Sequence, residues 1–167
     1  MMRMHMISFL KNPLMIFSVM VMLIFSACDR NVVFEENVKL PENRWAANNV
    51  VVLKADIQDT VSPHNLYINL RNAGGYQFSN IFMFFTTTTP SGKTERDTVE
   101  LTLADASGKW LGDGMGDIWD NRQLFKKDFR FPEAGQYTFR LEQAMRIDPL
   151  PQVMDVGVRV ERGPAAN

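Results

Sequence analysis

The sequence predicts an all-β protein: a single antiparallel β-sandwich of about seven strands over residues 50–162. Two observations carry this. Apolar and polar residues alternate with period two in segment after segment, the spacing that turns one face of a strand toward a core. Between these segments lie clusters of Gly, Pro, Asn and Ser, and nowhere after residue 28 does a long helical spacing appear. Val51, Leu53, Ala55 and Ile57 share a face of the first strand. Leu66, Ile68 and Leu70 share a face of the second, with Tyr67, Asn69 and Arg71 turned the other way. Ile81 to Phe85 is apolar on both faces and then Thr-rich, which suits a central strand or one covered on its second side. Val99, Leu101 and Leu103 alternate with Thr98, Glu100 and Thr102. Phe125, Phe129 and Phe131 fall on one parity, although Lys127 interrupts them. Tyr137, Phe139 and Leu141, and then Val156, Val158 and Val160, complete the set. Ser62-Pro63, Asn72-Ala-Gly-Gly75, Pro90-Ser-Gly-Lys93, Pro132-Glu-Ala-Gly135 and Asp148-Pro-Leu-Pro151 supply the turns.

The segment ahead of this body reads differently. Arg3 and Lys11 precede an apolar run from Leu14 to Phe25, then the small pair Ser26-Ala27, then Cys28, the only cysteine of the chain. A basic start, a short apolar stretch and small residues before the cut describe a secretory signal over residues 1–27. With cysteine next, they describe a bacterial lipoprotein signal, and the apolar run falls short of the ~20 residues a spanning helix needs. Cys28 is the expected lipidation site. Processing would leave 140 residues, remove seven of the 11 methionines and move the net charge from −1 to −3. Residues 28–49 read as the lipidated N-terminus and a tether, reaching ~65–70 Å if its twenty or so residues are fully extended. Within it, the short apolar group Val32–Phe34 is able to dock on the body. Residues 163–167 read as a C-terminal tail. With no second cysteine there is no disulfide, so packing alone must hold the fold. No Lys/Arg cluster points to nucleic acid.

One connection is unusually long. Residues 105–121 hold four Gly, four Asp (Asp105, Asp113, Asp117, Asp120) and two of the three Trp, Trp110 and Trp119. Connections of that length are either functional or packed loops. Clustered aspartates invite a calcium reading, but the twelve-residue calcium-loop spacing is missing and Asp caps local turns as readily. No metal and no cofactor are expected. Trp45, Trp110 and Trp119 together suggest a sugar-stacking platform, against which stands the commoner role of Trp as a plug of the core. The single histidine after residue 28, His64, sits in a Ser-Pro-His-Asn turn and reads as solvated. With no free cysteine and no nucleophile elbow, no catalytic residue is expected. The segment Glu142-Gln-Ala-Met-Arg146 breaks the alternation that precedes it. Binding residues concentrate on loops held by a rigid scaffold, so the candidate partner surface comprises Trp110, Asp113, Asp117, Trp119, Gln143 and Arg146.

Several stretches in order resemble the gliding-motility lipoprotein H (GldH) family of Bacteroidetes. They are Cys28-Asp-Arg-Asn with Val33-Phe34, Asn65-Leu-Tyr-Ile-Asn-Leu-Arg-Asn72, Phe78-Ser-Asn-Ile-Phe82, and Pro90-Ser-Gly-Lys93 with Asp97-Thr-Val-Glu100. Then follow Gly108-Lys-Trp-Leu-Gly112 with Gly116-Asp117, Phe131-Pro132 with Gly135-Gln-Tyr137, Glu142-Gln-Ala-Met-Arg146 and Asp155-Val-Gly-Val-Arg159. The resemblance implies an outer-membrane lipoprotein of the gliding-motility and allied protein-secretion machinery, acting on other envelope proteins and without a catalytic role. Asp29-Arg30-Asn31 lacks the acidic run that favours surface export in relatives of this phylum, so the periplasmic face is expected. The alternative is a glycan-binding module on a surface lipoprotein.

Overall fold

The computed structural model describes residues 31–164; the expected signal peptide, Cys28 and the end of the tail lie outside them. The strands are β1 (Val32–Lys39), β2 (Arg44–Trp45), β3 (Val51–Ile57), β4 (His64–Ala73), β5 (Asn80–Thr88), β6 (Thr94–Thr102), β7 (Asp113–Met115), β8 (Ile118–Phe129), β9 (Gly135–Gln143), β10 (Leu150–Pro151) and β11 (Val153–Arg162). They form two antiparallel sheets, β1-β11-β4-β8-β7 and β3-β9-β5-β6, with a small β10-β2 pair besides. The sheets pack face to face as a sandwich. Phe34 of β1 meets Phe139 of β9 at 6.4 Å between ring centroids, and Phe125 of β8 meets Phe85 of β5 at 4.8 Å. Leu66, Ile68, Leu70, Val156, Val158 and Val160 fill the core from the first sheet; Leu53, Ala55, Ile81, Met83, Phe139 and Leu141 fill it from the second.

All seven expected strands are present, and the β3 alternation is complete: Val51, Leu53, Ala55 and Ile57 are buried, the residues between them exposed. β5 is central, between β9 and β6, as its two-sided apolarity requires. Its outer face is covered in part by Arg96, whose guanidinium lies 4.1 Å from the Phe84 ring centroid. Such contacts are worth about 0.5–1 kcal/mol when exposed. The edge strand β6 carries Glu95, Arg96, Asp97 and Glu100, charges that discourage another strand from adding to it.

Two expectations change here. Residues 28–49 are not a tether beyond Val32. Val32–Lys39 runs the length of β11 as an edge strand, Leu40 is buried with its N–H donated to the Met154 carbonyl, and Trp45 lies fully inside the core. The reason is burial: Phe34, Val38, Leu40 and Trp45 offer apolar surface that a free tether would leave in water. The tail begins later than Gly163, whose N–H still bonds to the Pro63 carbonyl at 2.8 Å. Phe125 and Phe129, on one parity in the sequence, both pack against the core, although β8 bulges twice against β4, between the pairs His64–Phe129, Leu66–Lys126 and Tyr67–Leu124. Two one-residue bulges leave that shared parity unchanged, and Lys127 between the two rings is exposed. Asp128 takes φ +53° there, and its N–H is held by Asn65 Oδ1.

Candidate functional site

The long connection is not a loop throughout. Asp105 Oδ1 accepts from the N–H groups of Ser107 and Lys109 and from the Ser107 hydroxyl, closing a local turn. Trp110 then bridges to Ala104, and Asp113 to Met115 pairs with the start of β8. The two-residue turn Gly116-Asp117 has Gly116 at φ +64°, a conformation that costs glycine least.

At this end of the sandwich four aromatics touch in series. Trp119 stacks on Trp110 at 6.3 Å and 29°, Trp110 meets Tyr76 at 6.5 Å, and Tyr76 meets Phe78 at 5.6 Å. The outer face of Trp119 lies on Gly114, where a Cβ would stand 2.4 Å from the ring. Tyr76 donates to the Asn80 carbonyl at 3.0 Å, and burial pushes its hydroxyl pKa up. Phe78 in turn lines an open apolar groove of about 400 Å³ with Phe82, Ala144, Met145, Arg146 and Ile147. Phe82 and Ile147 are 38% and 40% exposed and adjoin in this groove, so they form one apolar patch rather than scattered residues. The break in alternation after Leu141 creates this groove. Gln143 is buried, donates to the Ile147 carbonyl and accepts from Met145 N–H, so the chain turns outward; the Phe82 N–H points at Met145 Sδ, 3.3 Å away.

Of the six candidate residues, then, Trp110 and Trp119 form the aromatic series and Arg146 lines the groove joined to it by Phe78. Gln143 shapes the groove from inside. Asp117 caps the hairpin: its carbonyl accepts from Gly74 N–H, and its carboxylate lies where a Cβ on Gly74 would be. Asp113 belongs to a different surface. The three tryptophans share no platform, because Trp45 is in the core and donates Nε1–H to the Asn49 carbonyl.

That second surface escaped the sequence reading. The outward residues of the first sheet form rows across its strands. In one row Arg71 pairs with both Asp120 and Asp155; in another Arg159 pairs with Glu35 and Glu161, while Arg122 also reaches Glu35 at 3.0 Å. Between the rows lie Asn37, Gly157 and Asn69, and Asn69 donates to Glu35 and Asn37. A Cβ on Gly157 would stand 2.1 Å from Asn37 Oδ1, so the floor stays low and a polar groove of about 420 Å³ results, which Asp113 also lines. Burial pushes the Glu35 carboxyl up, but hydrogen bonds from Arg159 and Asn69 with the charges of Arg159 and Arg122 hold it below its ordinary range. Asp155 goes the other way: burial lifts it, Arg71 opposes and Asp120 adds. Period-two spacing shows that these side chains point outward; it does not show that Glu35 meets Arg159, 124 residues away.

The remaining titratable feature is His64, which is fully buried rather than solvated. Its ring meets Phe131 edge-on at 5.2 Å, and among the described residues neither nitrogen has a hydrogen bond of good geometry. Burial depresses its pKa, with Asp59 and the Ser62 backbone offsetting part of the effect.

Residues 32–160 match the family described as GldH lipoprotein. A protein of Christiangramia forsetii named gliding motility lipoprotein GldH homolog is 33% identical over 147 residues, covering 84% of this chain and 90% of that one. The gliding motility lipoprotein GldH of Flavobacterium johnsoniae is 34% identical over the same length, with the same coverage.

Proposed function

The chain belongs to the GldH lipoprotein family, and on that premise we propose that it is a lipid-anchored envelope protein of the gliding-motility and allied protein-secretion machinery, acting through protein–protein contacts. The family match across nearly the whole body carries this reading, since both relatives bear motility names. The anchor is Cys28, and the membrane is the outer membrane at its periplasmic face, for which the signal architecture and the lack of an acidic run in Asp29-Arg30-Asn31 speak. The contact surface is the groove of Phe78, Phe82, Met145, Arg146 and Ile147 with the adjoining Trp110–Trp119 pair. Large apolar side chains left this exposed mark interaction sites. A non-catalytic role fits the position of His64, which is enclosed by Phe129 and Phe131 away from either groove. The glycan reading is the weaker one, because Trp110 and Trp119 turn their faces to each other and to Gly114.

The test is complementation of a deletion strain. Wild type restores motility, or secretion where the host does not glide; Cys28→Ser leaves the protein unacylated and does not restore it. Crosslinking in intact envelopes should join the wild-type protein to the same envelope proteins repeatedly, and Ile147→Asp should lose them. Full complementation by both variants would defeat the proposal.

A further inference from the structure

The start of β1 fixes how close the body lies to its anchor. Val32 is already paired with Glu161, and one residue earlier the Asn31 carbonyl accepts from Arg162 N–H at 2.7 Å. Only Asp29 and Arg30 therefore separate Cys28 from a fixed point of the fold. Three residue steps of fully extended chain span at most ~10–11 Å. The headgroup layer on each side of a bilayer is itself about 5–8 Å deep. So short a link cannot hold the domain clear of the surface.

The strand register says which end is held there. Val32 lies opposite Glu161, Arg162 opposite His64 and His64 opposite Phe129, so this is the end where β1 and β4 begin and β8 and β11 finish. The β3–β4, β5–β6 and β8–β9 connections, residues 58–63, 89–93 and 130–134, gather at the same end. They are tied together: Arg162 to Asp59 at 3.2 Å, Arg130 to the Val61 carbonyl at 3.1 Å, and Ser91 to Glu133 through both its N–H and its hydroxyl. On this braced end Val61 stands 76% exposed, with its N–H held by Asp59 Oδ1 at 3.0 Å. Around it the exposed cations Lys93, Lys127, Arg130 and Arg162 are matched by Asp59, Asp128, Glu133 and Glu161. The end is thus nearly neutral, and proximity rather than charge brings it to the membrane.

We propose that the bilayer carrying the anchor is the docking surface for this end. Loops 58–63, 89–93 and 130–134 lie at headgroup depth with Val61 entering it, and the groove of Phe82, Met145 and Ile147 is presented away from the membrane. The inference rests on acylation of Cys28. Its test keeps the two separable, because Cys28 is the only cysteine and, once acylated, leaves an introduced thiol as the sole labelling site.

Full-length acylated protein carrying Val61→Cys or Met115→Cys, the latter at a position 83% exposed on the β7–β8 hairpin, is labelled with a fluorophore. It is reconstituted in phosphatidylethanolamine–phosphatidylglycerol vesicles containing a spin-labelled lipid quencher. Intact mass and flotation report the anchor first. In floating samples the Val61 position should lose most of its fluorescence to the quencher and the Met115 position almost none, with little change at high salt. Equal quenching at both positions in a floating sample overturns the orientation while leaving the anchor intact. A protein that neither gains lipid mass nor floats overturns the anchor reading, and this inference with it.

Discussion

The two ends of the sandwich close the same strands in different ways. At the end where β1 begins, the connections 58–63, 89–93 and 130–134 are short, polar apart from the exposed Val61, and cross-braced by Asp59, Glu133 and Arg130. At the other end the chain uses residues 40–50, 74–79, 103–112 and 144–152. These carry a 3-10 turn, a small extra strand pair, stacked tryptophans and an apolar groove. Closing a sandwich requires only the first kind. Length and exposed apolar surface beyond what closure demands are where binding is built, and the groove at the second end has both.

Both ends are nevertheless plugged by one large side chain, and there the comparison can be broken with the largest expected effect. Trp45 closes the end with the groove and Phe131 the end where β1 begins, each at most 1% exposed. Either Trp45→Ala or Phe131→Ala should cost about 3–5 kcal/mol in chemical denaturation. A loss below about 1 kcal/mol at Trp45 would mean that β2 and β10 are a dispensable flap on the core.

The next effect belongs to one end alone. His64 is buried with a depressed pKa, so its stabilising contribution is present above its ordinary value of 6.5 and is lost as pH falls from there through the lower folded value. Between those two values the slope is about 1.4 kcal/mol per pH unit. Glu35, also depressed, contributes above its ordinary 4.5 and is lost only as pH falls below that. Unfolding free energy followed from pH 7 downward should therefore begin to fall near 6.5 through His64, the first stage, with Glu35 adding a second below 4.5. His64→Leu should remove the first and leave the second. An unaltered first stage in that variant would assign it to another group.

The strands were legible and the ends only partly so, for physical reasons. β3, β4, β9 and β11 each place an apolar side chain at every second position, so one sheet face is written into the sequence. β1 is not: it is an edge strand, half-buried at Val32, Val33, Phe34 and Val38 and polar between, and its pairing partner lies more than a hundred residues on. The β8 bulges were not legible for a similar reason, since they exist only in relation to β4. At the candidate site the tryptophans and the broken alternation near Gln143 pointed to the region where the aromatic series and the apolar groove lie. Phe78 and Phe82, which join its parts, read as ordinary strand and turn residues. The polar groove depends on rows of side chains drawn from different strands, which no single segment records.

A smaller effect tests whether the aromatic series is a unit. Trp110 and Trp119 are half-buried, and Trp110 leans on Tyr76 at the margin of the main core. Stacked aromatic pairs couple by about 0.5–1.5 kcal/mol beyond their area. A double-mutant cycle on Trp110→Ala and Trp119→Ala should return a coupling in that range and leave the rest of the fold cooperative. Coupling near zero would reduce the series to separate contacts. In that case the case for this end would rest on the groove alone.

The smallest expected change in stability is the most informative about function. Arg146 is exposed on the rim of the groove, and its guanidinium forms no ion pair among the described residues. Arg146→Glu should therefore shift unfolding free energy by no more than about 0.5 kcal/mol, the ordinary size for a surface substitution. The same reversal at Arg130 removes the hydrogen bond that braces Val61 and should be comparably mild. The two variants carry the same charge change at opposite ends of one domain, so differences between them in complementation or crosslinking cannot come from net charge or folding. If the groove holds the protein partner, Arg146→Glu weakens crosslinking and motility while Arg130→Glu preserves them. The reverse outcome would move the partner surface to the end nearest the anchor, where membrane and protein would have to share it.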